Sequence, residues 1–284
     1  MMFRPILAGI LSCIVMAAPI ARSQEVTLAA AADLTYCVPQ LNAAFEKANP
    51  GAAVKAAFGS SGNFYQEIRN GAPFDLFMSA DMQYPQKLAQ EGFASQPVEY
   101  AAGRLVLWSM SLDVSRGLAI LSDPAVKHIA VANPDHAPYG RAAKAALEKT
   151  GLWDELAPKL VFGESVGQTA QFVRTGNAEA GLVAMSLVVG PGKPVELKPS
   201  PLTPPGDYPP LKPNFGSGSV VVVGPAQRAG HFYEVPAGDY PALDQGVVVT
   251  KAGAGKPLAQ AYVTFLQSEE ARKIFGQYGF RLPK

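Results

Sequence analysis

A regular alternation of short apolar runs and amphipathic segments, beginning at residue 25, is the feature that most constrains this sequence. The run from Val26 to Ala31 is continuous, small and apolar, which is typical of a parallel strand buried on both faces. An apolar pattern at helical spacing follows it and ends at Asn49-Pro50-Gly51. The pattern then predicts strands at 54–58 and 74–78, with a helix at 64–70 between them. This β-α-β-α-β order indicates an α/β protein with a doubly wound sheet.

The same alternation resumes after residue 103 and predicts a second sheet. Val247-Val248-Val249 indicates a late strand, and residues 258–278 carry apolar side chains at helical spacing. Because these late helices need a sheet to cover, we expect residues 24–101 and 245–284 to form lobe I and residues 102–244 to form lobe II. The predicted elements of lobe II are strands at 104–108, 129–132, 160–162 and 181–184 and helices at 139–149 and 168–175.

Residues 1–23 have the three parts of a secretory signal peptide. Arg4 precedes an apolar run from Pro5 to Ala18, and Ala21-Arg22-Ser23 is similar to a cleavage site. We therefore expect export to the periplasm, with Gln24 as the first mature residue and no membrane insertion after cleavage. The alternative is a lipoprotein acylated at Cys13, which would leave an apolar core of six residues, where roughly 7 to 15 are usual.

The composition of the mature chain excludes several classes of protein. Cleavage removes two arginines and no acidic residue, so the formal net charge falls from +1 to −1. Lysine and arginine are scattered without clusters, which argues against a nucleic acid partner. Cys37 is then the only cysteine, so no internal disulfide can form and the fold depends on its apolar core.

Between Pro191 and Pro213 the chain carries nine prolines. Proline lacks a backbone donor and favours the extended polyproline conformation, so this stretch is predicted to be neither a central strand nor a helix. We interpret residues 191–230 as a surface insertion in lobe II.

Four predicted strand-to-helix junctions are rich in small residues and hydrogen-bond donors. They are Ala31-Ala32-Asp33, Gly59 to Asn63, His136 to Gly140 and Glu164 to Gln168. Free N–H groups and the positive end of a helix dipole meet at such junctions, and ligands of open α/β sheets bind outside the carboxyl ends of the strands. Ordinary helix capping explains any one of them, because Ser, Asp and Asn are preferred caps. Four together favour an anion site.

Several of these segments resemble the periplasmic molybdate-binding proteins of molybdate ABC transporters. The similarity covers nearly the whole chain after residue 23, except about 191–230. It implies a two-lobe type II periplasmic-binding fold, in which doubly wound sheets flank a cleft that closes on an oxyanion. It also implies a monomeric, non-enzymatic solute-binding protein that needs no cofactor and delivers molybdate or tungstate to the membrane permease of an ABC importer. The segments, in the family's order, are Ala29 to Leu34, Phe58 to Gly62, Gly71 to Asp81, Asn133 to Gly140 and Tyr278 to Phe280.

The resemblance also implies which residues contact the ligand. Asp33 stands where many members have a ligand-contacting serine, and Ser61 matches the serine of the second loop, with Ser60 beside it as the alternative donor. Tyr139 and Val166 match backbone donors. Family members often have a tyrosine whose hydroxyl reaches the ligand, and that position corresponds here to Ala184. We therefore predict an oxyanion site at Asp33, Ser60, Ser61, Tyr139, Val166 and Ala184, with molybdate bound by the Ser61 hydroxyl and the N–H groups of Asp33, Tyr139 and Val166.

Asp33 is the acidic member of an otherwise neutral set of donors. A carboxylate aimed at a dianion ~4 Å away costs about 4 kcal/mol at an effective dielectric constant near 20. We expect its side chain to turn back and cap the N–H of Thr35 or Tyr36, which leaves its own N–H for the ligand. The alternative is a phosphate- or sulfate-type receptor, in which a carboxylate that accepts a proton from a protonated ligand would select hydrogen phosphate over fully deprotonated anions. Arg141 is interpreted as part of an exposed basic helix face and not as an anion partner.

Catalysis and ferric-ion binding have less support. His128, His136 and His231 lack metal-ligand spacing, and the sequence contains no G-x-S-x-G elbow or Walker loop. A ferric site requires clustered tyrosine and carboxylate ligands, and Tyr233 and Tyr240 are not adjacent. We therefore expect a binding protein and not an enzyme.

Overall fold

The computed structural model describes residues 24–190 and 230–283. The predicted signal peptide, and the predicted proline-rich insertion up to residue 229, lie outside the described residues. Within the described ranges, no helix combines the length and apolar character needed to cross a membrane. The strands are β1 Gln24–Ala31, β2 Ala52–Gly59, β3 Leu76–Ser79, β4 Val98–Ala102, β5 Leu105–Ser109, β6 Ile129–Ala132, β7 Leu160–Gly163, β8 Ala180–Ala184, β9 His231–Glu234 and β10 Asp244–Val249. The α-helices are α1 Val38–Ala48, α2 Ser61–Arg69, α3 Gln83–Gln90, α4 Pro138–Lys149, α5 Trp153–Leu156, α6 Val166–Arg174, α7 Pro257–Leu266 and α8 Glu269–Gln277.

The first sheet combines strands from both ends of the described chain, in the order β2-β1-β3-β10-β4. Strand β1 pairs in parallel with β2 and β3, whereas β10 is antiparallel to β3 and β4. Helix α7 contacts β1 and β10, and α8 contacts α1. Tyr262 of α7 packs edge-on against Phe45 of α1, with ring centroids 5.0 Å apart. We call this sheet and its helices lobe I, residues 24–102 and 244–283.

The second sheet has the order β7-β6-β8-β5-β9. Strand β6 is parallel to β7 and β8, and β5 is antiparallel to β8 and β9. The predicted second sheet is therefore confirmed. We call it, with α4, α5 and α6, lobe II, residues 103–190 and 230–243.

Burial on both faces explains the apolar run in β1. Val26, Leu28 and Ala30 are fully buried in the large core cluster that extends through both lobes. Ala29 points to the opposite face, where it packs in a smaller cluster with Phe77 and Val248. Because successive side chains of a strand alternate between faces, a central strand covered by helices on both sides needs apolar residues throughout. Full burial of one such side chain, Leu28, contributes about 1.5 to 3 kcal/mol.

Candidate functional site between the lobes

The carboxyl ends of strands from both lobes meet at one small cavity. It is bordered in lobe I by residues at the ends of β1 and β2 and just after β3, and in lobe II by the starts of α4 and α6. Residues of both lobes line it, so the two lobes approach each other closely here. Among the described residues that line it, none is a lysine or an arginine. The lining residues are Ala31, Ala32, Asp33, Gly59, Ser60, Ser61, Ala80, Ala137, Pro138, Tyr139 and Val166.

Ser60 and Ser61 use their hydroxyl groups differently. Ser61 begins α2 and is buried, and its Oγ accepts a hydrogen bond from the Ala80 N–H at 3.0 Å. This bond fixes the oxygen, while the hydroxyl hydrogen has no acceptor within the described part of the chain and can donate into the cavity. Ser60 instead donates its hydroxyl to the backbone carbonyl of His136, at 2.6 Å. The geometry therefore favours Ser61 over Ser60 as the ligand donor.

Tyr139 and Val166 place two helix N-termini at the cavity. Val166 is the first residue of α6, and Tyr139 is the second residue of α4, after Pro138. The first N–H groups of an α-helix have no acceptor within the helix and form the positive end of its dipole. The Ser165 hydroxyl caps α6 by accepting from the Gln168 N–H at 3.3 Å. This cap leaves the N–H of Val166 for another acceptor.

Asp33 is a fully buried carboxylate beside these donors. Burial raises the pKa of its carboxyl group from the ordinary 3.8 to about 6, because the charged form loses its hydration. Contacts with Gln245, Tyr139 and its own backbone N–H act against this rise. The Tyr139 hydroxyl lies near the carboxylate but does not reach hydrogen-bond geometry, and Oδ1 of Asp33 likewise has no partner in the described structure. The cavity therefore carries an acidic group that can gain a proton near neutral pH.

The predicted capping role of the Asp33 side chain is wrong. Asp33 lies inside a 3-10 turn, Ala32–Leu34, and the Thr35 N–H donates to the carbonyl of Ala32 at 3.4 Å. The carboxylate Oδ2 instead accepts a hydrogen bond from Nε2 of Gln245, a fully buried residue of β10. The N–H of Thr35 therefore bonds within the turn, and the Asp33 carboxylate accepts instead from the side chain of Gln245, which is distant in sequence.

Gln245 is a site residue that sequence reasoning missed. Its Nε2 holds the Asp33 carboxylate, and its Oε1 accepts from the Tyr100 hydroxyl at 2.8 Å. The Tyr100 hydroxyl also lies 3.1 Å from the carbonyl oxygen of Ser79. Gln245 and Asp33 are 212 positions apart, so no local spacing could have linked them. The one available signal was an amide two residues before the apolar run Val247 to Val249.

Ala184 is the predicted site residue that the structure does not bring to the cavity. It is the last residue of β8, is fully buried, and pairs with Leu105 of the neighbouring strand. Strand β8 lies in the interior of the sheet, between β6 and β5, so a side chain as short as alanine stays within the core. The other five predicted residues, Asp33, Ser60, Ser61, Tyr139 and Val166, all line the cavity.

Arg141 does not belong to an exposed basic face, so that interpretation is wrong. Its side chain is 32% exposed and crosses from α4 to lobe I, where it pairs with the Asp81 carboxylate. Its Nη1 also donates to the Tyr84 hydroxyl at 3.1 Å. The sequence could not distinguish an exposed arginine from one that faces a second lobe.

Acidic and histidine side chains do not gather into a metal centre in residues 24–190 and 230–283. His128 lies 3.7 Å from Glu179, and His136 lies 3.2 Å from Glu164. Each is a separate pair within lobe II.

The two lobes and the donor-lined cavity between them define the class of two-lobed solute-binding proteins. A family model for bacterial extracellular solute-binding proteins matches residues 26–281, and the chain belongs to this family. It is 38% identical to the molybdate-binding protein ModA of Azotobacter vinelandii, over 97% of this chain and 94% of that protein. It is 35% identical to ModA of Rhodobacter capsulatus, over 92% of this chain and 89% of that protein.

A solved structure agrees with these sequence comparisons. The A. vinelandii periplasmic molybdate-binding protein superposes with a TM-score of 0.75 at 30% identity, over 91% of this chain and the whole of that chain. The two-lobe α/β fold and the resemblance to molybdate-binding proteins are therefore confirmed.

Proposed function

We propose that this chain binds molybdate or tungstate as a tetrahedral oxyanion in the cavity between the lobes and delivers it to the membrane permease of an ABC importer. Relatives that match nearly the whole chain are named molybdate-binding proteins. The observation that carries the proposal is the convergence of the N-termini of α2, α4 and α6 at one cavity. Each directs backbone donors and a positive helix end toward the same point.

Neutral donors are sufficient for a dianion in such a site. Hydrogen bonds to a charged group contribute roughly 1.5 to 3 kcal/mol each, and several of them can act together. The proposed donors are the Ser61 hydroxyl and the N–H groups of Tyr139 and Val166. The N–H of Asp33 is a weaker candidate, because its own carboxylate is one of its contacts. Selectivity then comes from the size and protonation of the anion and not from a lysine or arginine.

Calorimetric titration of the purified protein with molybdate, tungstate, sulfate and phosphate tests the proposal. We expect tight, one-to-one binding of molybdate and tungstate and binding of sulfate and phosphate that is weaker by orders of magnitude. Affinities for phosphate or sulfate that match or exceed the affinity for molybdate would overturn the assignment.

A phosphate-type receptor is the second candidate, and the buried Asp33 carboxylate is the observation that favours it. A carboxylate with an unpartnered oxygen can accept a hydrogen bond from a protonated anion such as hydrogen phosphate, but not from a fully deprotonated one. The titration above separates the two candidates. A phosphate affinity that disappears in Asp33→Ser would identify the receptor as phosphate-specific.

Two observations support export of the protein from the cytoplasm. The family is described as extracellular, and the N-terminal segment has the parts of a signal peptide. We propose a periplasmic monomer, cleaved before Gln24, that carries its ligand without chemical change and without a cofactor. Intact-mass measurement of the protein recovered from the periplasm, together with its mass in solution by light scattering, tests the cleavage site and the monomer.

A further inference from the structure

Arg141 links the two lobes at one edge of the cavity. It lies on α4, two residues after Tyr139, and its guanidinium reaches Asp81 in the loop between β3 and α3 of lobe I. Nη1 donates to the Tyr84 hydroxyl at 3.1 Å, and the guanidinium carbon lies 5.2 Å from the centre of the Tyr84 ring. One side chain of lobe II therefore makes an ion pair, a hydrogen bond and a cation–π contact with lobe I.

The carboxylate that receives Arg141 is held in place by its own lobe. Oδ1 of Asp81 accepts hydrogen bonds from the Ser79 hydroxyl at 3.1 Å and from the Tyr84 N–H at 3.3 Å. The other oxygen, Oδ2, is the one that pairs with Arg141. The side chains of Asp81 and Arg141 are 12% and 32% exposed, so the pair is partly shielded from water and from salt.

The interface beside this pair is not closely packed. A cavity of about 270 Å³ lies between the lobes there, bordered by Asp81, Met82, Pro138, Arg141 and the connecting residues 241–244. Apolar packing therefore contributes little to closure at this edge. The contacts of Arg141 span this edge.

A second set of contacts joins the lobes next to the Tyr84 hydroxyl. The carbonyl oxygen of His136, in lobe II, accepts the Ser60 hydroxyl at 2.6 Å and the Gly62 N–H at 2.9 Å. A Cβ atom on Gly62 would lie 2.5 Å from this oxygen, so the approach requires glycine. These bonds use one backbone acceptor, whereas the Arg141 contacts depend on side-chain charge and can be removed by substitution without altering the backbone.

We propose that Arg141, Asp81 and Tyr84 form a latch that holds the lobes closed and so sets how long a bound ligand stays in the cavity. The inference rests on the proposed oxyanion function and adds residues that line no part of the ligand cavity. The positive charge of Arg141 is neutralised by Asp81, so its role is to position lobe II and not to attract the anion. Breaking the latch speeds ligand release and leaves ligand entry nearly unchanged.

Four variants test the latch. Arg141→Gln removes the charge, and Asp81→Asn removes the partner but keeps an oxygen for Ser79 and Tyr84. The double variant measures whether the two act as one unit. Lys144→Gln is the matched control, because Lys144 lies about one turn further along α4 and pairs with Glu148 inside lobe II, at 3.7 Å.

The first measurement is the release of radiolabelled molybdate during a chase with excess unlabelled anion. We expect release to be about tenfold faster or more in each single variant, as for the loss of one partner of a part-buried ion pair. The double variant should release no faster than the singles, association rates should stay within about threefold of the parent, and Lys144→Gln should behave as the parent. Release rates unchanged in Arg141→Gln, or single effects that multiply in the double variant, would overturn the latch.

The second measurement separates failure of the latch from failure of the proposed function. Small-angle X-ray scattering of the anion-free protein should give a larger radius of gyration for Arg141→Gln and Asp81→Asn than for the parent and Lys144→Gln. If the parent binds no molybdate, the proposed function fails and this comparison alone decides the latch. Equal radii in all four proteins would then overturn it.

Discussion

The two walls of the cavity present different groups to the proposed ligand. Lobe I contributes side chains, the Ser61 hydroxyl and the Asp33 carboxylate, whereas lobe II contributes the starts of two helices through the backbone at Tyr139 and Val166. A side chain can be replaced in one substitution, and its charge depends on pH. A backbone N–H persists through almost any substitution except proline. If the proposed site is correct, we expect substitutions in lobe I to change specificity and loss of the backbone donors of lobe II to weaken the binding of every anion.

The largest expected effect is on lobe I and concerns pH. The folded-state pKa of Asp33, about 6, exceeds the ordinary 3.8, so the folded protein binds this proton more tightly than the unfolded chain. Ionised Asp33 therefore costs stability, and the cost grows as pH rises from about 4 and is complete above about 6. At roughly 1.36 kcal/mol for each pH unit, the difference is about 3 kcal/mol.

We expect Asp33→Asn to gain about this much stability relative to the parent between pH 4 and pH 8. Urea unfolding at several pH values measures the difference. Asp154→Asn, at an exposed position of lobe II, is the control and should follow the parent. A constant difference between Asp33→Asn and the parent across this range would contradict the buried, ionisable carboxylate.

The next effect tests the backbone wall. Val166 is the first residue of α6, where proline fits the helix, and Ser165 before it is already extended. Val166→Pro therefore removes one N–H without breaking the helix, and we expect molybdate binding to weaken by about 1.5 to 3 kcal/mol. Val166→Ala keeps the N–H and should bind nearly as the parent in the same titration. Equal affinities in the two variants would mean that lobe II does not donate at this position.

Ser61→Ala tests the side-chain wall and should weaken molybdate binding by about 1 to 3 kcal/mol, because a hydrogen bond to a charged group is lost. Ser60→Ala is the natural comparison, since the Ser60 hydroxyl is engaged with His136 and not with the cavity. We expect its effect on equilibrium affinity to be smaller. If calorimetry finds the reverse order, Ser60 is the ligand donor and the serine assignment must be exchanged.

The smallest effect is predicted for the Tyr139 side chain. Its hydroxyl lies near Asp33 without a hydrogen bond of good geometry, and the proposed contact of this residue with the ligand is its N–H. Tyr139→Phe should therefore change molybdate affinity by less than about 1 kcal/mol, below the value of a hydrogen bond to a charged group. A larger loss in the titration would place the hydroxyl among the ligand donors. Lobe II would then also contribute a side-chain donor, contrary to the comparison of the two walls.

The periodic parts of the fold could be predicted from the sequence, because local pattern determines them. The predicted strand 129–132 matches β6, and the predicted helix 139–149 matches α4 to within one residue. Strands β4 and β9 and helix α3 were missed. Strand β9 is short and, within the described sheet, pairs only with β5, and neither it nor β4 carries a long apolar run.

The candidate site was predictable where a residue follows a strand or begins a helix, as with Ser61 and Val166. It was not predictable where the partner comes from a distant segment. The Asp33 carboxylate was expected to serve the nearest N–H groups, but Gln245 reaches it from β10. Arg141 was expected to face water, but a second lobe faces it. Both errors have one cause. Sequence periodicity indicates which side of a helix or turn is buried, but it does not indicate which distant segment covers that side.

The place of β10 between β3 and β4 sets the order in which the chain can be assembled. Within the described sheet of lobe I, β4 has β10 as its one neighbour, so this sheet stays in two pieces until residues 244–249 arrive. Every described strand of lobe II is present once residue 234 has emerged. A chain made from its N-terminus can thus pair the described strands of lobe II while lobe I still has unpaired strand edges, which can pair with other chains. Residues 244–249 therefore decide whether lobe I has one continuous sheet or two separate pieces with unpaired strand edges.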